Sequence, residues 1–263
     1  MKNKKDRLFR LVLTAILSAM IVGLQLIGGI QIGPFSITLT LVPIVFGSIM
    51  LGAGYGGFLG LVFGLMVSLL SILGKDPGGF MVFAANPVMA WIACLLKGFL
   101  AGFLPALVYR GFKKCKTSPQ ILMAVSGAFI FLSGVAVGNL AVTGFNATTV
   151  TVVILAAVVS AAYLLIIHYA MTKETAPFYL ASMIAPVANT ATFILFMLLF
   201  FRPLLEEWAG GTNVIVYLLT VIVGVNFVIE FTVAIVFAPA LAIAANALMK
   251  RHRAYSAKEK ADN

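Results

Sequence analysis

Charge is scarce in this chain. Of its 263 residues 10% are charged and 62% are hydrophobic, whereas soluble domains carry about 25% charged and about 45–50% apolar residues. A water-soluble fold would have nowhere to bury that surplus. A soluble enzyme is therefore excluded, and so is a nucleic-acid binder, despite a net charge of +10. Polar low-complexity tracts are also missing, and 21 phenylalanines demand burial, which excludes disorder. There are only two cysteines, Cys94 in an apolar run and Cys115 in a basic loop, with neither a disulfide framework nor metal-ligand spacing. No Gly-x-x-x-x-Gly-Lys-Ser/Thr loop is present, so the chain has no P-loop with which to hydrolyse ATP. His-Glu-x-x-His and Gly-x-Ser-x-Gly are absent as well. Catalysis is not expected, and no metal or cofactor is called for.

What the chain does have is long apolar runs. A membrane-spanning helix needs about 20 mostly apolar residues, and candidates lie at 9–29, 37–53, 55–73, 87–110, 120–139, 150–171, 178–201 and 214–248. The expected fold is all-α, a polytopic membrane bundle of about eight helices forming one integral membrane domain over 1–263. The basic start, Met1 to Arg10, is followed by apolar residues to about Ile30 with no Ala-x-Ala-like cleavage site, so it reads as an uncleaved first helix.

The few charges orient the bundle. With both termini in the cytoplasm, fifteen of the eighteen Lys and Arg residues fall on the cytoplasmic side, as the positive-inside rule requires. Lys75 and Arg202 fall outside, and Lys97 lies within a helix. The expected location is a cell membrane, by type a bacterial plasma membrane. The outer connections include the Gly/Pro-rich 74–87 stretch and 202–213, read either as lids or as simple connectors.

Two stripes of small residues stand out. Gly52, Gly56, Gly60, Gly64 and Ser68 recur at four-residue spacing, the pattern by which membrane helices approach closely. A packing seam is the expected role. Ala15, Ala19 and Gly23 form a second stripe after the basic tail, and it suits either packing inside the bundle or docking of a partner helix.

Polar groups at bilayer depth are costly and mark function by default. Here they are Lys97, Asn189, Thr190, Asn226 and Glu230, with Asn86 opening the fourth span. Asn226 and Glu230 are four residues apart and share a helix face. Lys97 and Glu230 either neutralise one another, or Lys97 receives an anionic group of a solute while Glu230 and the asparagines take its hydroxyl and amide hydrogens. Such a cavity implies a small polar solute. A stand-alone, ion-coupled secondary transporter is one expectation, although no internal repeat is visible and Glu230 is the sole plausible coupling carboxylate.

Taken in order, several segments resemble the substrate-binding S component of energy-coupling factor (ECF) transporters. They are Ala15-x-x-x-Ala19, Leu41–Val42–Pro43–Ile44, the glycine-rich run Leu51 to Gly64, Asn86–Pro87, Ala188–Asn189–Thr190, and Gly224 to Glu230. The resemblance covers about 1–116 and 178–250. It implies a six-helix core, here with an inserted helix pair in 117–177, and capture of a water-soluble vitamin from outside. It implies partners too: a transmembrane coupling subunit docking on Ala15 and Ala19, and two ATP-binding subunits that supply the missing P-loop. Lys97 departs from the pattern, standing where Arg is expected. Pantothenate, with a carboxylate for Lys97, an amide and two hydroxyls, suits the cavity best. Riboflavin is next, given Phe80, Phe83 and Trp91 near the outer end.

Overall fold

The structure is a computed structural model that describes residues 4–27, 30–32, 35–37, 39–114, 175–218 and 224–261. The described elements are α1 (Lys4–Ile27), β1 (Ile30–Ile32), β2 (Phe35–Ile37), α2 (Leu41–Leu51), α3 (Ala53–Ile72), α4 (Pro77–Ala85), α5 (Pro87–Lys114), α6 (Ala176–Phe200), α7 (Arg202–Ala209), α8 (Val214–Tyr217) and α9 (Gly224–Ala261). The described residues are thus helical, apart from one antiparallel hairpin that pairs Ile30 with Ile37 and Ile32 with Phe35. Five helices are long and apolar enough to cross a membrane: α1, α3, α5, α6 and, over Ile229–Arg251, α9. The chain is a multi-pass membrane protein.

Two expectations are revised, at 37–53 and in the outer connections. The run at 37–53 yields α2, an 11-residue helix of about 16 Å, too short for a hydrocarbon core of about 30 Å. Of the run at 214–248, the described residues form α8, to Tyr217, and α9, from Gly224. The 74–87 and 202–213 connections contain the helices α4 and α7. The expected pair at 120–139 and 150–171 lies outside the described residues.

The turn between α2 and α3 is a single residue, Gly52, with φ +104°, a conformation that a side chain would strain. From there α3 packs on α5 along its glycines. A Cβ at Gly56, Gly60 or Gly64 would strike the backbone carbonyls of Gly102, Gly98 and Cys94, and one at Gly98 or Gly102 would strike α3 in return. Each glycine costs a helix about 1 kcal/mol relative to alanine. Contact between the two backbones offsets that cost. Pro105 interrupts the hydrogen-bond ladder of α5, and Ser48 on α2 accepts the Ala106 amide at 2.9 Å.

Basic side chains gather at one end of the bundle. Arg10 donates to the Leu51 carbonyl at 3.5 Å and lies 5.9 Å over the Tyr55 ring, placing a cation at the C-terminus of α2 as the helix dipole favours. Lys113 lies 5.4 Å over Tyr109, which meets Phe178 of α6 edge-on. At the opposite end α4 and α7 close over α5 and α6. Val82 and Phe83 are buried there with Ala90, Met197, Phe201 and Leu205. Apolar outer faces remain on α1, including Leu11, Ile16 and Met20, as expected for lipid contact.

Candidate functional site

Lys97 sits about 15 Å along α5 from Pro87 and is partly buried. It lines a cleft between α3, α4, α5 and α6, together with Ser71, Asp76, Gly79, Phe193 and Phe196. The cleft contains about 410 Å³ of free space, open solvent included. The Lys97 ammonium lies 5.4 Å from the centroid of Phe193, within the range of a cation–π contact. No ion pair within 4.0 Å joins it to a carboxylate among the described residues. Its charge nevertheless acts on both Asp76 and Glu230. Among the described residues, Lys97 is therefore held by an aromatic face and joined to no acid at contact distance.

Asn189 and Glu230 meet across α6 and α9, the amide Nδ2 donating to Glu230 Oε2 at 3.3 Å. Asn189 is buried, and its Oδ1 has no hydrogen-bond partner. Glu230, partly buried, lines a second cleft with Ser182, Val42, Val45, Val233 and Leu241. The two acids thus face different clefts on either side of α6. Pro186 sits between Ser182 and Asn189 in that helix, and Ser182 is fully buried with an unpartnered hydroxyl.

The remaining candidates are placed as follows. Asn86 separates α4 from α5, and its Oδ1 accepts the Met89 amide at 3.1 Å, the N-cap interaction of a helix start. Thr190 is partly buried on α6 beside Asn189. Asn226 falls in the first turn of α9. Ala15 and Ala19 are exposed on α1, whose Leu17 and Ile21 turn inward against Ile44, Leu59 and Phe63. Of the aromatics, Phe83 is buried and meets Trp91 edge-on at 5.8 Å, while Phe80 is half exposed.

Sequence reasoning missed Asp76 and Phe193. Asp76 falls in what reads as a connector, and Phe193 is one phenylalanine among many in an apolar run. The signal for Phe193 was its spacing, one helical turn beyond Asn189. Asp76 is held by Ser71, whose hydroxyl donates to Oδ2 at 3.4 Å. Burial pushes the Asp76 carboxyl above its usual range, against the pull of the Lys97 charge and the Ser71 hydrogen bond.

Against known proteins, the chain is similar to the pantothenic acid transporter PanT of Lactococcus lactis subsp. cremoris, at 32% identity over 119 residues. That alignment takes in 41% of this chain and 61% of the relative, so the chain matches less than two thirds of that protein's length. No family model matches, and no solved structure matches.

Proposed function

We propose that this protein is the substrate-binding membrane subunit of an ECF-type importer, and that its solute is pantothenate. The observation that carries the reading is Lys97, a cation within an apolar span that no carboxylate among the described residues neutralises at contact distance and that opens on an aromatic-lined cleft. A carboxylate-bearing solute is the natural partner for such a group. Similarity to a pantothenic acid transporter supports the same choice, as does the order of the segments that resemble S components.

In this reading Lys97 takes the carboxylate. Asn189, Thr190 and Glu230, with Asn86 and Asn226 at the helix starts, supply hydrogen bonds along the path of the solute, Glu230 from the second cleft and not from that of Lys97. Both termini lie in the cytoplasm, and 117–177 adds a helix pair to a six-helix core within one membrane domain. The exposed Ala15 and Ala19 let a helix of the coupling subunit approach α1 closely, and two ATP-binding subunits supply the energy. Riboflavin is the second candidate solute, supported by Phe83 and Trp91.

Binding of pantothenate and riboflavin to the purified chain, followed by uptake into liposomes with and without coupling and ATP-binding subunits, tests the proposal. Pantothenate binding without partners, together with uptake that needs both partners and ATP, is the expected result. Uptake by this chain alone, driven by an ion gradient, would overturn it in favour of a secondary transporter.

A further inference from the structure

Asp76-Pro77-Gly78-Gly79 has the form of a helix start, an Asp cap followed by Pro at the first helical position. The ordinary role of such an aspartate is to accept an amide of the first turn. Asp76 makes no capping hydrogen bond of full geometry to α4, although the Gly79 backbone amide favours its ionised carboxylate. The side chain turns instead toward Ser71 of α3, which engages Oδ2. Gly79 makes this possible, since a Cβ there would collide with Ser71 Oγ and crowd Asp76 Oδ2 at 2.6 Å.

The other oxygen, Oδ1, is buried and has no hydrogen-bond partner. Asp76 lines the same cleft as Lys97, and the Lys97 charge acts on it without an ion pair forming. An acid and a base therefore line one cleft with no ion pair between them, and the acid keeps one oxygen unpartnered. Burying an acceptor without a partner is unfavourable, so a fold that holds Oδ1 this way gains from a solute that donates to it.

We infer that Asp76 is a specificity-determining residue of the Lys97 cleft, its Oδ1 accepting a hydrogen bond from a hydroxyl of the solute whose carboxylate Lys97 holds. The ligand class is then a hydroxylated monocarboxylate. A second carboxylate at the Asp76 end would be repelled, and a solute lacking the hydroxyl would leave Oδ1 unpaired. This inference rests on the proposed pantothenate reading, because it assigns one of that solute's hydroxyls to Asp76.

The test compares pantothenate with its analogue in which both hydroxyls are replaced by hydrogen. Both are titrated against the purified full chain, Asp76→Ala and Asp76→Asn, with melting temperature as the check on folding. Wild type should prefer pantothenate by about tenfold or more. Asp76→Ala should cut that preference several-fold, changing affinity for pantothenate more than affinity for the analogue. Asp76→Asn keeps the side-chain volume and should lose most of the preference, its amide oxygen being a weaker acceptor than a carboxylate. A preference that survives in both variants overturns the role of Asp76 and leaves the pantothenate reading standing, as does an equal loss for both compounds. Failure of wild type to bind pantothenate overturns that reading and this inference with it.

Discussion

Helix α5 is gripped on two faces by opposite means. Toward α3 it presents Cys94, Gly98 and Gly102, and the two backbones touch. Toward α6 it presents Ala90, Ala93 and Lys97, and the space is shared by Phe193, Phe196 and a cleft. These stripes are offset by about one residue, or about 100° around the helix. Membrane helices gain little by hiding apolar side chains from lipid, so their contacts depend on close packing or on polar groups. The α3–α5 seam takes the first route and leaves no volume for a ligand. The α5–α6 interface keeps its bulk in side chains, and side chains can leave room for a solute. Rigidity on one face of α5 fixes the depth and direction of Lys97 on the other.

The strongest way to break this arrangement is to place bulk in the seam. Gly60→Leu forces a side chain into the Gly98 backbone and should destabilise the fold by about 3 kcal/mol or more, since little side-chain adjustment can relieve it. Loss of monodisperse protein and of the melting transition would show this, whereas a normal melting profile would mean that the seam opens freely. On the cleft side, Lys97→Met should weaken pantothenate binding by about 100-fold, the scale of a charge-assisted hydrogen bond lost from a sheltered site. Its melting temperature should hold or rise, because a costly buried cation is gone. Unchanged affinity measured by calorimetry would return Lys97 to a structural role.

A bulky residue tests the outer face of α1, which belongs to neither interface. Ala15→Trp or Ala19→Trp should spare pantothenate binding and suppress ATP-dependent uptake at least tenfold; loss of both together would mean that the stripe packs inside the bundle. The smallest effect concerns pH. Asp76 has a folded pKa above its ordinary 3.8, so the folded state holds its proton more tightly than the unfolded state does. Its contribution to stability is then greatest below the unfolded value and declines as pH rises through 3.8 toward the folded value. The Lys97 charge, the Ser71 hydroxyl and the Gly79 backbone amide act on the carboxyl and limit the shift. Asp76→Asn should gain about 1 °C or more in melting temperature over wild type above that window and nothing below it. A constant difference across pH would mean that the carboxyl is well solvated.

Much of the frame was legible from composition and spacing. The apolar runs at 9–29, 55–73, 87–110 and 178–201 match α1, α3, α5 and α6 closely, because spanning length is a simple count of residues. The glycine stripe was legible too, although Gly52 serves a turn and not the seam, a distinction of backbone angle that spacing does not carry. Less of the site was visible. Lys97 stood out as a cation in an apolar run, and Asn189 and Glu230 as polar groups on separate helices. That Asn189 bonds to Glu230 while Lys97 opens on a different cleft depends on how α6 is rotated between α5 and α9. Asp76 was hidden because its own segment reads as a connector, and its importance comes from Ser71, Gly79 and Lys97 on neighbouring elements.

The sequence by itself determined that this chain lives in a bilayer, where α1, α3, α5 and α6 run, and that only a handful of polar groups lie within its apolar runs. Those are consequences of solvation, which acts on each segment almost independently of the others. Tertiary structure decided that Lys97 and Glu230 line different clefts, that Asn86 caps α5, that Ala15 and Ala19 face outward, and that an aspartate at a helix start lines the cleft of Lys97 with one oxygen unpaired. These depend on the relative rotation and close approach of helices, which the backbone contact of α3 with α5 fixes, and which no single segment encodes.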